Sequence, residues 1–174
     1  MRLTRILDVA VFGTVAIAVL LPRPDAKVKP GLELTDSQRV ELAQLQAVLA
    51  RDPGAAEPSL ALSSLLLDGG RPEWALSVLT PALARNPTDH RLAMRQSMAF
   101  ADDWEAMAAF KAAERALALC ENGSSHPCGE PDKVRLTLLK STLEKVKDID
   151  LRDNPNTAKE RILQALRPGR VPHK

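Results

Sequence analysis

The sequence predicts an all-α protein: a short solenoid of antiparallel helix pairs behind an N-terminal apolar segment. Three observations predict it. No stretch alternates apolar and polar residues with the period of a strand. Ala and Leu supply most of the apolar side chains, aromatics are only 3 % and tyrosine is absent, a composition that favours helix. And LARDP at positions 49–53 returns as LARNP at positions 83–87.

The chain of 174 residues reads as one domain with extensions. Residues 9–21, VAVFGTVAIAVLL, follow Arg2 and Arg5 and end at Pro22. This run is short of the ~20 apolar residues that span a bilayer and close to the core of a signal peptide. Three readings stay open: an uncleaved anchor, a cleaved signal, and a buried helix. The first two imply export. The domain expectation is a signal anchor or signal peptide at 1–21 and a proline-rich linker at 22–34. Helical repeats follow at 35–123, a cysteine-containing loop at 124–131, a helical pair or cap at 132–167, and a basic tail at 168–174.

Seven helices are expected beyond the linker. Thr35 and Gln38 form a capping-box pair that starts the first, whose Leu42, Leu45 and Leu49 make one apolar face. Asp52-Pro53-Gly54 stops it. The second runs over about 58–67 and ends at Gly69-Gly70. The third opens on Pro72, continues to Arg85 with Pro81 inside it, where a missing donor predicts a kink, and closes at Asn86-Pro87. The fourth covers about 89–101 and the fifth 103–119, with Asp102 or Asp103 as the cap between them. Asp132 is expected to cap the sixth, whose Leu136, Leu139, Leu143 and Val146 form a stripe. Asn154 is expected to cap the seventh.

Helix pairs recurring with a period of about 34 residues are the sign of a tetratricopeptide array, and the LARDP and LARNP echo has that period. Residues 56–89 resemble the family. Leu62 and Ser63 stand at its large-small pair, Gly70 at its turn glycine, Ala75 and Ala82 at its two alanines and Pro87 at its closing proline, while Leu66 and Leu79 replace aromatics. The register continues through 90–123, where Ser97, Ala109 and Ala116 fall one full period after Ser63, Ala75 and Ala82. Phe100 takes the aromatic place, and Trp104 stands where the turn glycine would be. Residues 35–55 look like the second half of a preceding repeat. Small residues at these positions let helices approach closely, and pairs that cannot bury a core alone must stack.

The resemblance implies a concave face built from first helices that binds an extended peptide or a partner helix. On this sequence the face includes Glu57, Leu60, Ser64 and Leu67, then Arg91, Met94, Arg95 and Met98. The methionines suit an adaptable surface, and the two arginines could hold a carboxylate bidentately. Ordinary packing for the methionines and a solvated face for the arginines remain the alternatives. The expected function is a protein-binding scaffold or assembly factor of the bacterial envelope type. It would be anchored in the inner membrane with the repeats in the periplasm, or be periplasmic or secreted if the signal is cleaved. A non-catalytic structural subunit of a larger complex is the second reading.

Other classes are disfavoured. A net charge of +2 is too mild for nucleic-acid binding, which needs a concentrated basic face. No nucleophile, metal-protease or phosphate-loop motif is present, so no enzyme, cofactor, metal or small-molecule substrate is expected. Cys120 and Cys128 in CENGSSHPC read as a disulfide if the chain is exported. Closing so small a loop contributes about 2–3 kcal/mol on the chain-entropy model. Two free thiols are the alternative, and a metal site recruiting His126 would have only three ligands. DIDLRD at 148–153 lacks the glycine and glutamate of a calcium loop and reads as a solvated turn. Trp74 and Trp104 are expected to pack between helices.

Overall fold

The computed structural model describes residues 34–154 and 156–158. The apolar N-terminal run, almost all of the linker, most of the seventh helix and the tail lie outside them. Among the described residues there is no strand and no helix long and apolar enough to cross a membrane.

Six helices follow one another: α1 (Asp36–Arg51), α2 (Ala56–Asp68), α3 (Pro72–Arg85), α4 (His90–Asp102), α5 (Ala106–Asn122) and α6 (Glu130–Val146). Each packs on the next, and α2 also packs on α4. The step from Ala56 to His90, where α2 and α4 begin, equals the step from Pro72 to Ala106, where α3 and α5 begin. It is also the step from LARDP to LARNP, and that echo has a local cause. Asp52 and Asn86 are the C-caps of α1 and α3, each donating its backbone N–H one turn back, to Val48 and Ala82 respectively. Asn86 Nδ2 donates to the Gly54 carbonyl at 2.9 Å, and Arg85 pairs with Asp52, so the two turns are fastened together.

The turn after α2 is repeated after α4 bond for bond. Gly69, Gly70 and Arg71 donate to the carbonyls of Leu65, Leu67 and Leu66 at 3.0, 2.9 and 2.8 Å. Asp103, Trp104 and Glu105 donate to those of Ala99, Ala101 and Phe100 at 3.0, 3.1 and 2.9 Å. This is a Schellman arrangement, whose penultimate residue takes the left-handed conformation. Gly70 has φ 66° and Trp104 φ 69°. Glycine adopts that geometry freely; a side chain there costs about 1–2 kcal/mol.

The small residues expected to allow close approach do so. Ser63, Ala75, Ala82, Ser97, Ala109 and Ala116 are all 0 % exposed. Ser97 Oγ also donates to the Ala109 carbonyl at 2.8 Å, tying α4 to α5. Leu62 and Leu66 of α2, Leu79 and Leu83 of α3, Leu92 of α4 and Leu136 of α6 belong to one continuous core. Phe110, Ala113 and Leu143 form a second cluster where α5 meets α6.

Several sequence expectations need correction. α5 begins at Ala106 after an N-cap Glu105 that makes no side-chain bond. Asp102 ends α4 and Asp103 is its C-cap, because the Schellman turn occupies those positions. α6 begins at Glu130 with Gly129 as N-cap, so Asp132 lies inside the first turn. Trp74 and Trp104 are not buried between helices: they are 52 % and 51 % exposed, and Trp74 only edges a hollow shared with Leu49 of α1 and Leu62 and Leu66 of α2. Trp74 lies under the Arg71 guanidinium, 5.4 Å from the ring centre, and Trp104 sits in the turn itself. The Thr35–Gln38 capping box forms as expected, as does the α6 stripe, with Leu136, Leu143 and Val146 buried. Asp150 accepts from the N–H groups of Arg152 and Asp153 at 3.0 and 3.3 Å, a purely local turn.

Candidate functional site

α2 and α4 are the first helices of successive pairs, and they lie side by side. Residues one turn apart on each face the shared space. The result is a groove of about 340 Å³ lined by Glu57, Leu60, Ala61 and Ser64 of α2, Arg91, Met94 and Arg95 of α4, and Asp132 of α6. Five of the seven partner-binding residues expected from sequence therefore come together, with Glu57. Leu67 and Met98 do not line this groove. Leu67 packs against the core, and Met98, 38 % exposed, is among the exposed apolar residues.

The two arginines differ in state. Arg91 is already occupied, which corrects its reading as half of an open carboxylate clamp. Its Nε and a terminal nitrogen donate to the two oxygens of Asp89 at 3.1 and 2.9 Å, and its other terminal nitrogen meets Glu57 at 2.7 Å. These hydrogen bonds, from Asp89 first, hold its guanidinium above the ordinary arginine value against the opposing effect of burial. Arg95 has no such anchor: its Nε is buried without a hydrogen-bond partner. Ser64 donates to the Leu60 carbonyl at 3.0 Å, so its hydroxyl hydrogen is committed to its own helix.

Asp89 is the pivot behind this wall and is 1 % exposed. It is the N-cap of α4, accepting the Arg91 N–H at 2.9 Å, and its other oxygen lies 3.4 Å from His126 Nε2. Burial pushes its carboxyl up, but the hydrogen bonds and charge of Arg91, with His126, outweigh that and hold it below the ordinary carboxylate value.

The loop from Gly123 to Gly129 closes over this end of α4. Ser125 N–H donates to the Thr88 carbonyl at 3.1 Å. Ser124 Oγ lies 2.6 Å from His90 Nδ1 and accepts the His126 N–H at 3.2 Å. The Cys120–Cys128 disulfide, with Cα atoms 5.3 Å apart, pins both ends of the loop. In sequence the histidines are scattered, Asp89 belongs to no recognisable site motif, and Ser124 stands only in the Asn122-Gly123-Ser124 glycosylation pattern, which gives no sign of its contact with His90. The one available signal is that Asp89 stands directly before the α4 apolar pattern, a capping position.

Burial, opposed by the charges of Asp89 and Asp132, holds His90 below the ordinary histidine value. The folded protein thus resists protonation that the unfolded chain accepts, and the unfolded state binds more protons as pH falls. The stabilising contribution is complete above about pH 6.5 and is lost as pH drops from there through the depressed folded value. A urea series across this range should show wild type losing stability and His90→Asn losing distinctly less. Parallel profiles would mean His90 does not titrate with folding.

No family model, no curated protein and no solved structure matches the chain.

Proposed function

We propose that the chain is a tetratricopeptide-like solenoid that binds a partner protein in the groove between α2 and α4, acting as a non-catalytic scaffold or assembly factor. The observation that carries this reading is the groove itself. It is built by equivalent faces of two helices one repeat period apart, and it mixes apolar Leu60 and Met94 with charged Glu57, Arg95 and Asp132. Such a surface suits a peptide or helix bearing both apolar anchors and charge. The apolar run at residues 9–21 supports a membrane tether at the cell envelope with the repeats exported.

The test is a cross-linking pull-down from intact cells with tagged full-length protein, paired with Met94→Glu/Arg95→Glu. Arg91 is left intact because it serves Asp89. One dominant partner, lost by a variant that keeps its helical circular dichroism, is the expected result. Recovery of the same partners by both proteins would overturn groove binding.

One observation favours the second reading, a permanently packed structural subunit. Val134 and Leu138, one turn apart on α6, are 65 % and 56 % exposed and form an apolar ridge away from the groove. Unchanged partners in the groove variant, lost instead on Val134→Lys/Leu138→Lys, would select that reading.

A further inference from the structure

The disulfide region holds a second arrangement. His90, Cys128 and Asp132 each offer a ligand atom, and these three atoms lie within 4.8 Å of one another. Cys120 is bonded to Cys128, so a fourth donor sits one bond away, outside the 4.8 Å set itself. The four come from separate elements. His90 opens α4, Cys120 lies in the last turn of α5, Cys128 is in the loop, and Asp132 lies in the first turn of α6. Three are thus fixed on helices that pack together, and His90 and Cys120 are 1 % and 8 % exposed.

We propose that on reduction of the disulfide Cys120, Cys128, His90 and Asp132 form a four-ligand site for a divalent cation of the zinc class. Two thiolates, an imidazole and a carboxylate are the donors that zinc takes in a closed tetrahedral site, with metal–ligand distances of about 2.0–2.3 Å. Ligand atoms on such a tetrahedron stand roughly 3.5 Å apart, so His90, Cys128 and Asp132 need to close by about 1 Å, and the Cys120 sulfur has to turn in beside them by side-chain rotation once the sulfurs separate. Harder cations such as calcium take oxygen donors and would not use this set. The Ser124 hydroxyl on His90 Nδ1 at 2.6 Å already orients the ring, as outer partners of metal-bound histidines do.

The chemistry balances with a dithiol as reductant. Its two thiols become a disulfide, two electrons and two protons pass to Cys120 and Cys128, and the S–S bond between them breaks. Metal binding then displaces the two thiol protons to solvent. The bonded and metal-loaded forms exclude each other, because a disulfide offers no thiolate. The spacing Cys-x7-Cys gives no sign of this, since His90 and Asp132 join it only through the packing of α4 and α6 against α5.

The test is Co²⁺ titration of the purified full chain, oxidised and after reduction with a phosphine that leaves no competing thiol. Reduced protein should develop the visible absorption of tetrahedral thiolate-bound cobalt, saturating at one equivalent and discharged by Zn²⁺; oxidised protein should stay colourless. Asp132→Asn and His90→Asn should each weaken binding by more than the roughly 10–100-fold that losing an outer-shell partner costs. Asp132 makes no capping bond, so its variant remains informative if His90→Asn unfolds. No tetrahedral spectrum from the reduced protein overturns the site. So does undiminished binding by both Asp132→Asn and His90→Asn, which would leave two thiols holding an adventitious ion only; undiminished binding by Asp132→Asn alone overturns the four-ligand site.

Discussion

Leu79→Ala should lower the unfolding free energy by about 3–4 kcal/mol, the middle of the range for leucine truncation in a rigid core. Leu79 is 0 % exposed and lies between Ala75 and Ala82, also 0 % exposed, on the face of α3 that meets Leu62 and Leu66. Its long neighbours Leu62, Leu66 and Leu83 are themselves 3 %, 4 % and 6 % exposed, held in the same packed core and not free to swing into the space it leaves. Much of the cavity should therefore persist. Against a usual total of about 5–15 kcal/mol, the variant stands near the limit of folding. Urea denaturation followed by circular dichroism measures it, with Leu138→Ala, at a site 56 % exposed, as a control expected to change little. A Leu79 loss no larger than the control's would mean that the helices close over the gap.

Asp89→Ala should cost about 2–4 kcal/mol, from two separable sources. Losing the N-cap of α4 removes about 1 kcal/mol. The remainder comes from stripping Arg91 of its bidentate partner, a smaller loss than the roughly 3–5 kcal/mol of a fully buried pair because Glu57 still meets the guanidinium at 2.7 Å. Asp89→Asn separates the two, since asparagine caps as well as aspartate but carries no charge. It should recover the cap's share alone. If asparagine restores wild-type stability, the Asp89–Arg91 charge interaction contributes nothing. If both variants match wild type, neither cap nor pair stabilises the fold.

What the sequence revealed and what it hid divide along a physical line. Features set by residues a few positions apart were legible. Thr35 and Gln38 cap one another within a single turn, and the six small positions follow a fixed period that burial confirms at 0 % exposure. Helical spacing puts Leu60 and Ser64 on one face of α2 and Arg91, Met94 and Arg95 on one face of α4, but that the two faces share a groove came from the family resemblance and not from spacing. Hidden were the features made by chain segments meeting. Arg91 reads as a free cation until Asp89 and Glu57 are seen to hold it. Asp132 reads as a cap until the helix is seen to start at Glu130. His90, Ser124 and Cys128 are brought together by the route of a loop that no local pattern specifies. Trp104 shows the reverse case: the turn after α4 holds a tryptophan in the left-handed backbone that local preference reserves for glycine.

The placement of the tryptophans also decides what light can report. The chain has two tryptophans and no tyrosine, and both indoles are already about half in water, 52 % and 51 % exposed. Their emission in the folded protein therefore sits near that of a solvated indole, and unfolding has little room to shift its colour. Melting of this core is close to silent in intrinsic fluorescence, while a ligand or neighbouring subunit that covers either ring would move the signal toward the blue. The same two half-exposed side chains are its natural reporters of contact.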